Sequence, residues 1–293
     1  MRFGPTFFRS ILIGLVCGLW TAHPLAAETA KPQRIISLLP SLTEMVFGVG
    51  AGERVVGVTR SCTYPPEAAK RTHIGGYVPN TISLELIVGL QPDLVLAQSD
   101  IQGSTIEQLH RFGIRVEPVD ARSVTEIAPA LRRVGELVGE SDQAARVADA
   151  LERELERIRS SFAEVSVEER PRVFYEVWFE PLMTAGRRSF THQLIELAGG
   201  VNVFADTDRD YFQVSLEEVL RRDPDVVLGS DSHGSREQLT TAERPGWGKL
   251  RAVQAGNVHA IDGDIVSRPG PRIAEALRRI VAILHPERMP PGS

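Results

Sequence analysis

The chain of 293 residues carries 33 basic and 38 acidic side chains, a net charge of −5, with 42% hydrophobic and 24% charged residues. That composition fits a soluble globular protein of one large or two ordinary domains and excludes extensive disorder. The acidic balance argues against nucleic acid as a partner.

Arg2 and Arg9 come before the apolar run SILIGLVCGLW at 10–20, and His23-Pro-Leu-Ala-Ala27 follows it. A basic start, a short apolar core and a small-residue end predict a signal peptide over 1–27, cleaved after Ala27. The run is short for a membrane span, and no later segment is apolar for long enough. Without those residues the charge is −7 and Cys62 is the one cysteine left, so no internal disulfide is expected.

Residues 35–39 read as a buried strand ending at Pro40. A helix follows, with Ser41 as its cap and Glu44 at capping-box spacing, ended by Gly50 and Gly52. Residues 54–59 are the next strand. Gly48, Gly50 and Gly52 follow a helix and precede a strand, the reverse of a dinucleotide-binding turn. Ser83 caps a helix with Leu84, Ile87, Val88 and Leu90 as its apolar contacts; Pro92 stops it, and 93–97 is a buried strand. A helix closed by Gly113 and a strand over 114–120 continue the alternation. Strands alternating with helices predict a parallel sheet with helices on its faces.

From Ser141 the pattern changes. Val147, Leu151, Leu155, Ile158, Phe162 and Val165 form one apolar stripe over 25 residues without a breaker, which predicts a helix of roughly 35–40 Å joining two lobes. Alternation then resumes: strand 172–179, helix 189–200, helix 214–224, strand 225–230, strand 257–263 and a closing helix 270–284. One segment occurs twice. ISLELIVGLQPDLVL at Ile82 returns as VSLEEVLRRDPDVVL at Val214, offset by 132 residues without a gap. The predicted organisation is an α/β lobe over 33–140, a connecting helix over 141–166 and a second α/β lobe over 167–293.

The chain resembles the helical-backbone class of substrate-binding proteins of ABC importers, which serve cobalamin, haem and iron-siderophores, and its cobalamin-binding branch most of all. The segments that carry the resemblance are RIISLLPSLTEMVFGVGAGERVVGV, YPPEA, SLELIVGLQPDLVLA, PLMTAGRRSFTHQLIELAGGVNVF, QVSLEEVL and SRPGPRI, in that order. It implies two Rossmann-like lobes with parallel sheets joined by one long backbone helix, with ligand in the cleft between them. It also implies periplasmic location, a monomer with no catalytic cofactor, and delivery to a permease dimer with its ATPase subunits. Ligands of open α/β sheets sit beyond the carboxyl ends of the strands, which fits such a cleft.

The loops after the strands carry Tyr64, Tyr77, Trp178 and Tyr211. Aromatic rings suit a flat corrin or porphyrin, apolar on its faces and polar at its edge. By the family pattern Tyr64, Tyr77 and Tyr211 face the cleft, Pro40 is counted with them, and Trp178 can equally pack under its own loop. The best-known cobalamin binders have tryptophan where Tyr77 and Tyr211 stand, and some haem binders ligate iron through a tyrosine near Tyr77. A corrinoid is thus the first expectation for the ligand, with haem or a ferric siderophore as the alternative. Arg268 aligns with an arginine beside the pocket, able to donate to an amide or a propionate. Glu85 and Glu217, each two residues after the capping serine, match glutamates that dock on permease arginines; a first-turn glutamate also simply favours the helix dipole.

Cys62 reads as a small buried residue. His192 and Glu196 share a helix face but lack a third ligand, so no metal site is expected. His233 is placed at the cleft border. The chain has no Gly-x-Ser-x-Gly elbow and no His-Glu-x-x-His helix, which leaves a secreted α/β enzyme using the same cleft as the least favoured reading and a non-enzymatic binding protein as the first.

Overall fold

The computed structural model describes Met1 and residues 30–231 and 245–288. Apart from Met1, the predicted signal peptide lies outside the described residues, as does His233. In the N-terminal lobe β1 (Ile35–Ser37), β2 (Val55–Val58), β3 (Thr72–His73), β4 (Leu94–Ala97) and β5 (Val116–Pro118) form one sheet in the order β3-β2-β1-β4-β5. Every pairing in it is parallel. Its helices are α1 (Pro40–Gly48), α2 (Leu84–Gly89), α3 (Ser99–Arg111) and α4 (Ile127–Val138).

The helix α5 (Ser141–Ser160) leads into the second lobe. There β6 (Arg172–Trp178), β7 (Met183–Ala185), β8 (Val201–Asn202), β9 (Tyr211–Gln213), β10 (Val226–Ser230) and β11 (Val258–Ile261) form a sheet ordered β11-β10-β6-β7-β9, with β8 also on β6. Its helices are α6 (Phe190–Leu197), α7 (Leu216–Arg222), α8 (Arg251–Gln254), α9 (Gly263–Val266) and α10 (Ile273–Leu284). The β11-β10-β6-β8 pairings are parallel. The chain departs from a purely parallel sheet at one edge, where β7 and β9 run antiparallel. β7 follows β6 through a turn too short for the crossover that parallel strands require.

Successive strand residues face opposite sides, so Ile35, Leu94, Val173 and Leu228 enter one core while Ile36, Val95, Phe174 and Val227 enter two others. The first core holds residues of both lobes together with Leu131 and Val134 of α4, Leu151 and Ile158 of α5, and Leu277 and Ile280 of α10. The lobes therefore share one continuous apolar core along one side.

The repeated segment folds the same way twice. Ser83 accepts from the backbone of Leu86 and Ser215 from that of Glu218, capping α2 and α7. Asp93 accepts from the backbone of Arg34 and Asp225 from that of Arg172, each fixing the start of its lobe's first strand. The guanidinium of Arg34 donates to Leu90 O, and that of Arg172 to Arg222 O. Even the left-handed residues before the two prolines correspond, Gln91 at φ 46° and Asp223 at φ 40°.

Two sequence expectations need correction. Ser41 is not the cap of α1: the cap position is Leu39, Pro40 opens the helix, and Ser41 lies inside it. Glu44 is drawn away by a partner 228 residues distant, described below. The connecting helix stops at Ser160 and not near 166, a length of about 30 Å. Phe162 and Val165 continue the stripe as turns, because Arg170 takes both their carbonyls, at 3.1 and 3.3 Å.

Candidate functional site

A cavity of about 390 Å³ opens between the lobes. Its N-terminal wall is built from residues just past four strand ends: Leu39, Pro40 and Ser41 after β1, Ser61 after β2, Tyr77 after β3, Gln98 and Ile101 after β4. Asp264, Ser267, Arg268 and Pro269, following β11, close it from the other lobe. A larger cavity of about 670 Å³ lies elsewhere, at the C-terminal end of α5, and shares no residue with the cleft.

Of the residues that the sequence points to, Pro40, Tyr77 and Arg268 line this cavity. Tyr64, Trp178 and Tyr211 do not; they stand half-exposed, at 43%, 41% and 43%, in loops or strands at the same end of the sheets. The Tyr211 hydroxyl is 3.4 Å from that of Thr191, and the Trp178 indole donates to Glu180 O at 2.8 Å. Tyr175 of β6 is buried, and burial raises its phenol above the usual range.

Gln102 was not singled out by the sequence. It is fully buried under the N-terminal wall, at a non-helical point within α3. Its amide nitrogen donates to Tyr77 O at 2.8 Å and Leu38 O at 3.3 Å, and its oxygen accepts from Gln98 N at 2.8 Å. One side chain thus ties together the loops after β1, β3 and β4. Nothing in DIQGSTI sets this glutamine apart from the polar Asp100, Ser104 and Thr105 around it.

The floor of the cleft, lined by Asp264 and Arg268 with Glu44 and Arg272 behind them, is ionic. Arg268 is no solvated arginine: its side chain is 13% exposed and pairs with Asp264, with Glu44 3.5 Å away. Arg272 grips Glu44 with two prongs, Nη2 to Oε1 at 2.6 Å and Nε to Oε2 at 2.9 Å. Thr63 donates to Asp264 at 2.9 Å. Two arginines thus face two carboxylates, and the floor is close to neutral. The pair with Glu44 raises Arg272 further above its already high range.

Cys62 is buried beside this floor and bonded to the hydroxyls of Thr43 and Thr59. Burial pushes its thiol up, away from thiolate chemistry. Among the described residues no group of three or more His, Cys, Asp or Glu side chains is placed to hold a metal, His192 and Glu196 included. None of the described helices is long and apolar enough to cross a membrane.

Two α/β lobes on a shared core, with a cleft at their strand ends, define the class of two-lobed ligand-binding proteins. The chain belongs to the periplasmic binding protein family, whose pattern it matches over residues 35–265. It is similar to the Vitamin B12-binding protein of Pectobacterium carotovorum subsp. carotovorum, 32% identical over 97% of this chain and 99% of that one. Among solved structures it resembles the periplasmic Vitamin B12 binding protein BtuF of Vibrio cholerae, with 27% identity, TM-score 0.74, and 88% and 99% of the two chains covered. It also resembles the periplasmic heme-binding protein RhuT from Roseiflexus sp. RS-1, with 28% identity, TM-score 0.78, and 87% and 98% covered.

Proposed function

We propose that this chain captures a corrinoid of the cobalamin type in the interlobe cleft and passes it to an ABC importer, without catalysing a reaction. The reading is supported first by full-length similarity to a protein named for vitamin B12 binding. The observation that carries it is the cleft itself, walled by the carboxyl ends of five strands from two lobes. In this reading Pro40, Tyr77 and Arg268 contact the buried part of the ligand. Tyr64, Trp178 and Tyr211 meet the part that projects, because a corrin with its side chains is larger than the closed floor. The chain acts as a monomer in the periplasm after loss of residues 1–27.

The neutral floor favours a corrinoid over haem. Haem propionates call for an unmatched cation, whereas Arg268 and Arg272 already face Glu44 and Asp264. Corrin side-chain amides need only dipoles. Haem stays as the second reading because Tyr77 lines the cleft and a heme-binding protein shares the scaffold.

Glu85 and Glu217 are both exposed, on equivalent first turns of α2 and α7. Hydrogen bonds from its own backbone and from Ser215 lower the Glu217 carboxyl, so it stays charged. Two equivalent carboxylates suit two equivalent basic patches on a dimeric permease.

Incubation of the purified protein with cyanocobalamin, cobinamide or haemin, then desalting and absorption spectroscopy, tests the reading. Retained corrinoid spectra are expected. Retention of haemin alone would move the assignment to haem, and retention of none would remove the tetrapyrrole reading.

A further inference from the structure

Arg272 does more at the cleft floor than neutralise Glu44. Its Cζ lies 4.0 Å from the centre of the Tyr64 ring, within cation–π range. The three groups alternate between lobes: Glu44 on α1, Arg272 just before α10, and Tyr64 in the loop after β2. The Glu44 side chain is 2% exposed and that of Arg272 17%. A sealed carboxylate holds its cation firmly, because losing the partner leaves a buried charge uncompensated. The planar fork of the guanidinium then fixes its orientation as well as its position.

Among the described residues no hydrogen bond reaches the Tyr64 side chain. The ring is 43% exposed, on a loop whose next-door Thr63 bonds across the cleft to Asp264. With Arg272 over the ring, one contact limits the rotation of an otherwise open side chain and leaves surface free for a ligand.

We propose that Glu44 and Arg272 are positioning residues of the binding site: the ion pair between the lobes fixes the guanidinium, and the guanidinium fixes the Tyr64 ring at the cleft edge. This rests on the cleft being the ligand site. It assigns the pair a role in affinity beyond stapling the lobes, and it makes the aromatic wall of one lobe depend on a residue of the other. A lysine at 272 would keep the charge but lose the second prong and the stacking plane, so Arg272→Lys separates geometry from charge.

The test has two readouts. In the free protein, ring-carbon labelling gives signals for the four tyrosines, Tyr64, Tyr77, Tyr175 and Tyr211, with Tyr64 identified by its loss in Tyr64→Phe. Arg272→Lys and Glu44→Gln are expected to move the Tyr64 signal and leave that of Tyr175 in place. In titrations with cyanocobalamin, Arg272→Lys is expected to weaken binding about three- to tenfold in the presence of Tyr64. In a Tyr64→Ala background the same change should have close to no effect, the mark of a residue acting through another. An unmoved Tyr64 signal, or an equal loss of affinity in both backgrounds, would overturn the proposal and leave the pair as a lobe staple. If wild-type protein binds no cyanocobalamin, the corrinoid reading fails separately, and the ring signal alone decides whether Arg272 positions Tyr64.

Discussion

A fully buried glutamine has to justify itself by its hydrogen bonds, and Gln102 does so by holding Tyr77, Leu38 and Gln98 at once. Replacing it with leucine keeps the volume and strands the backbone groups that it served. Gln102→Leu is therefore expected to cost roughly 1–3 kcal/mol in denaturant unfolding. It should also weaken cyanocobalamin binding, since Tyr77 loses its anchor; unchanged values in both measurements would reduce Gln102 to filler. A second residue-scale prediction concerns pH. His192, His259 and His285 all have imidazoles lowered below the usual range, first by burial. His285 packs against the Phe162 ring, centroids 4.6 Å apart, with Nε2 3.2 Å from Gly199 O. A histidine held neutral in the fold takes its proton more readily when unfolded. The unfolded state therefore gains as pH falls below about 6.5. The depressed carboxylates, such as Glu154 at about 2 under its pairing with Arg157, act only below their unfolded value of 4.5. Urea midpoints should thus fall between about pH 7.5 and pH 5.5, and a flat or rising trend would contradict the burial of these rings.

At the scale of elements, α4 and α5 meet through their smallest residues. A Cβ on Gly135 would lie 2.1 Å from the Cβ of Ala144 and 3.2 Å from Glu140 O. Neither neighbour can swing aside, so the helices would have to separate. Alanine is the better helix former by about 1 kcal/mol. Overpacking is nevertheless expected to win, with Gly135→Ala destabilising the protein by roughly 1–3 kcal/mol; a gain in the thermal midpoint would show that the contact is looser. The sequence made α5 visible through Val147, Leu151, Leu155 and Ile158, yet half its buried face is Ala144 and Ala148, too small to stand out in a periodicity. The α/β alternation was legible because buried strands and capped helices announce themselves locally. The antiparallel β7 and β9, three residues each, were not, for so short a strand has no period to read. The site divides in the same way. Pro40, Tyr77 and Arg268 were legible as residues following strands or as parts of a family pattern, whereas Asp264, Ser61 and Ser267 are ordinary polar residues until the fold brings them together. Glu44 matches a capping box by spacing alone, and its actual partner Arg272 is invisible to any local rule.

For the whole molecule, the continuous core means that the lobes cannot swing apart without exposing α5 and α10. Opening is limited further by the Glu44–Arg272 pair and by Gln193, which accepts from Val124 N at 3.0 Å across the lobes. Solution scattering with and without cyanocobalamin should accordingly show a nearly constant radius of gyration, and a large decrease on binding would reveal a hinge that this packing forbids. Docking belongs to this scale too. Glu85→Ala and Glu217→Ala should leave ligand binding intact and impair uptake by cells, the double variant most; undiminished uptake at wild-type protein levels would return both residues to helix capping. The central claim is that the interlobe cleft is where a corrinoid binds, and one equilibrium titration tests it most directly. Cyanocobalamin is titrated into wild-type protein and into Ser267→Trp, which places an indole on an exposed position of the cleft wall. Saturable binding of one corrinoid per chain is predicted for wild type, with affinity reduced by at least about tenfold in a Ser267→Trp protein of unchanged stability. Equal affinity for both proteins, or no binding by the wild type, would contradict the account.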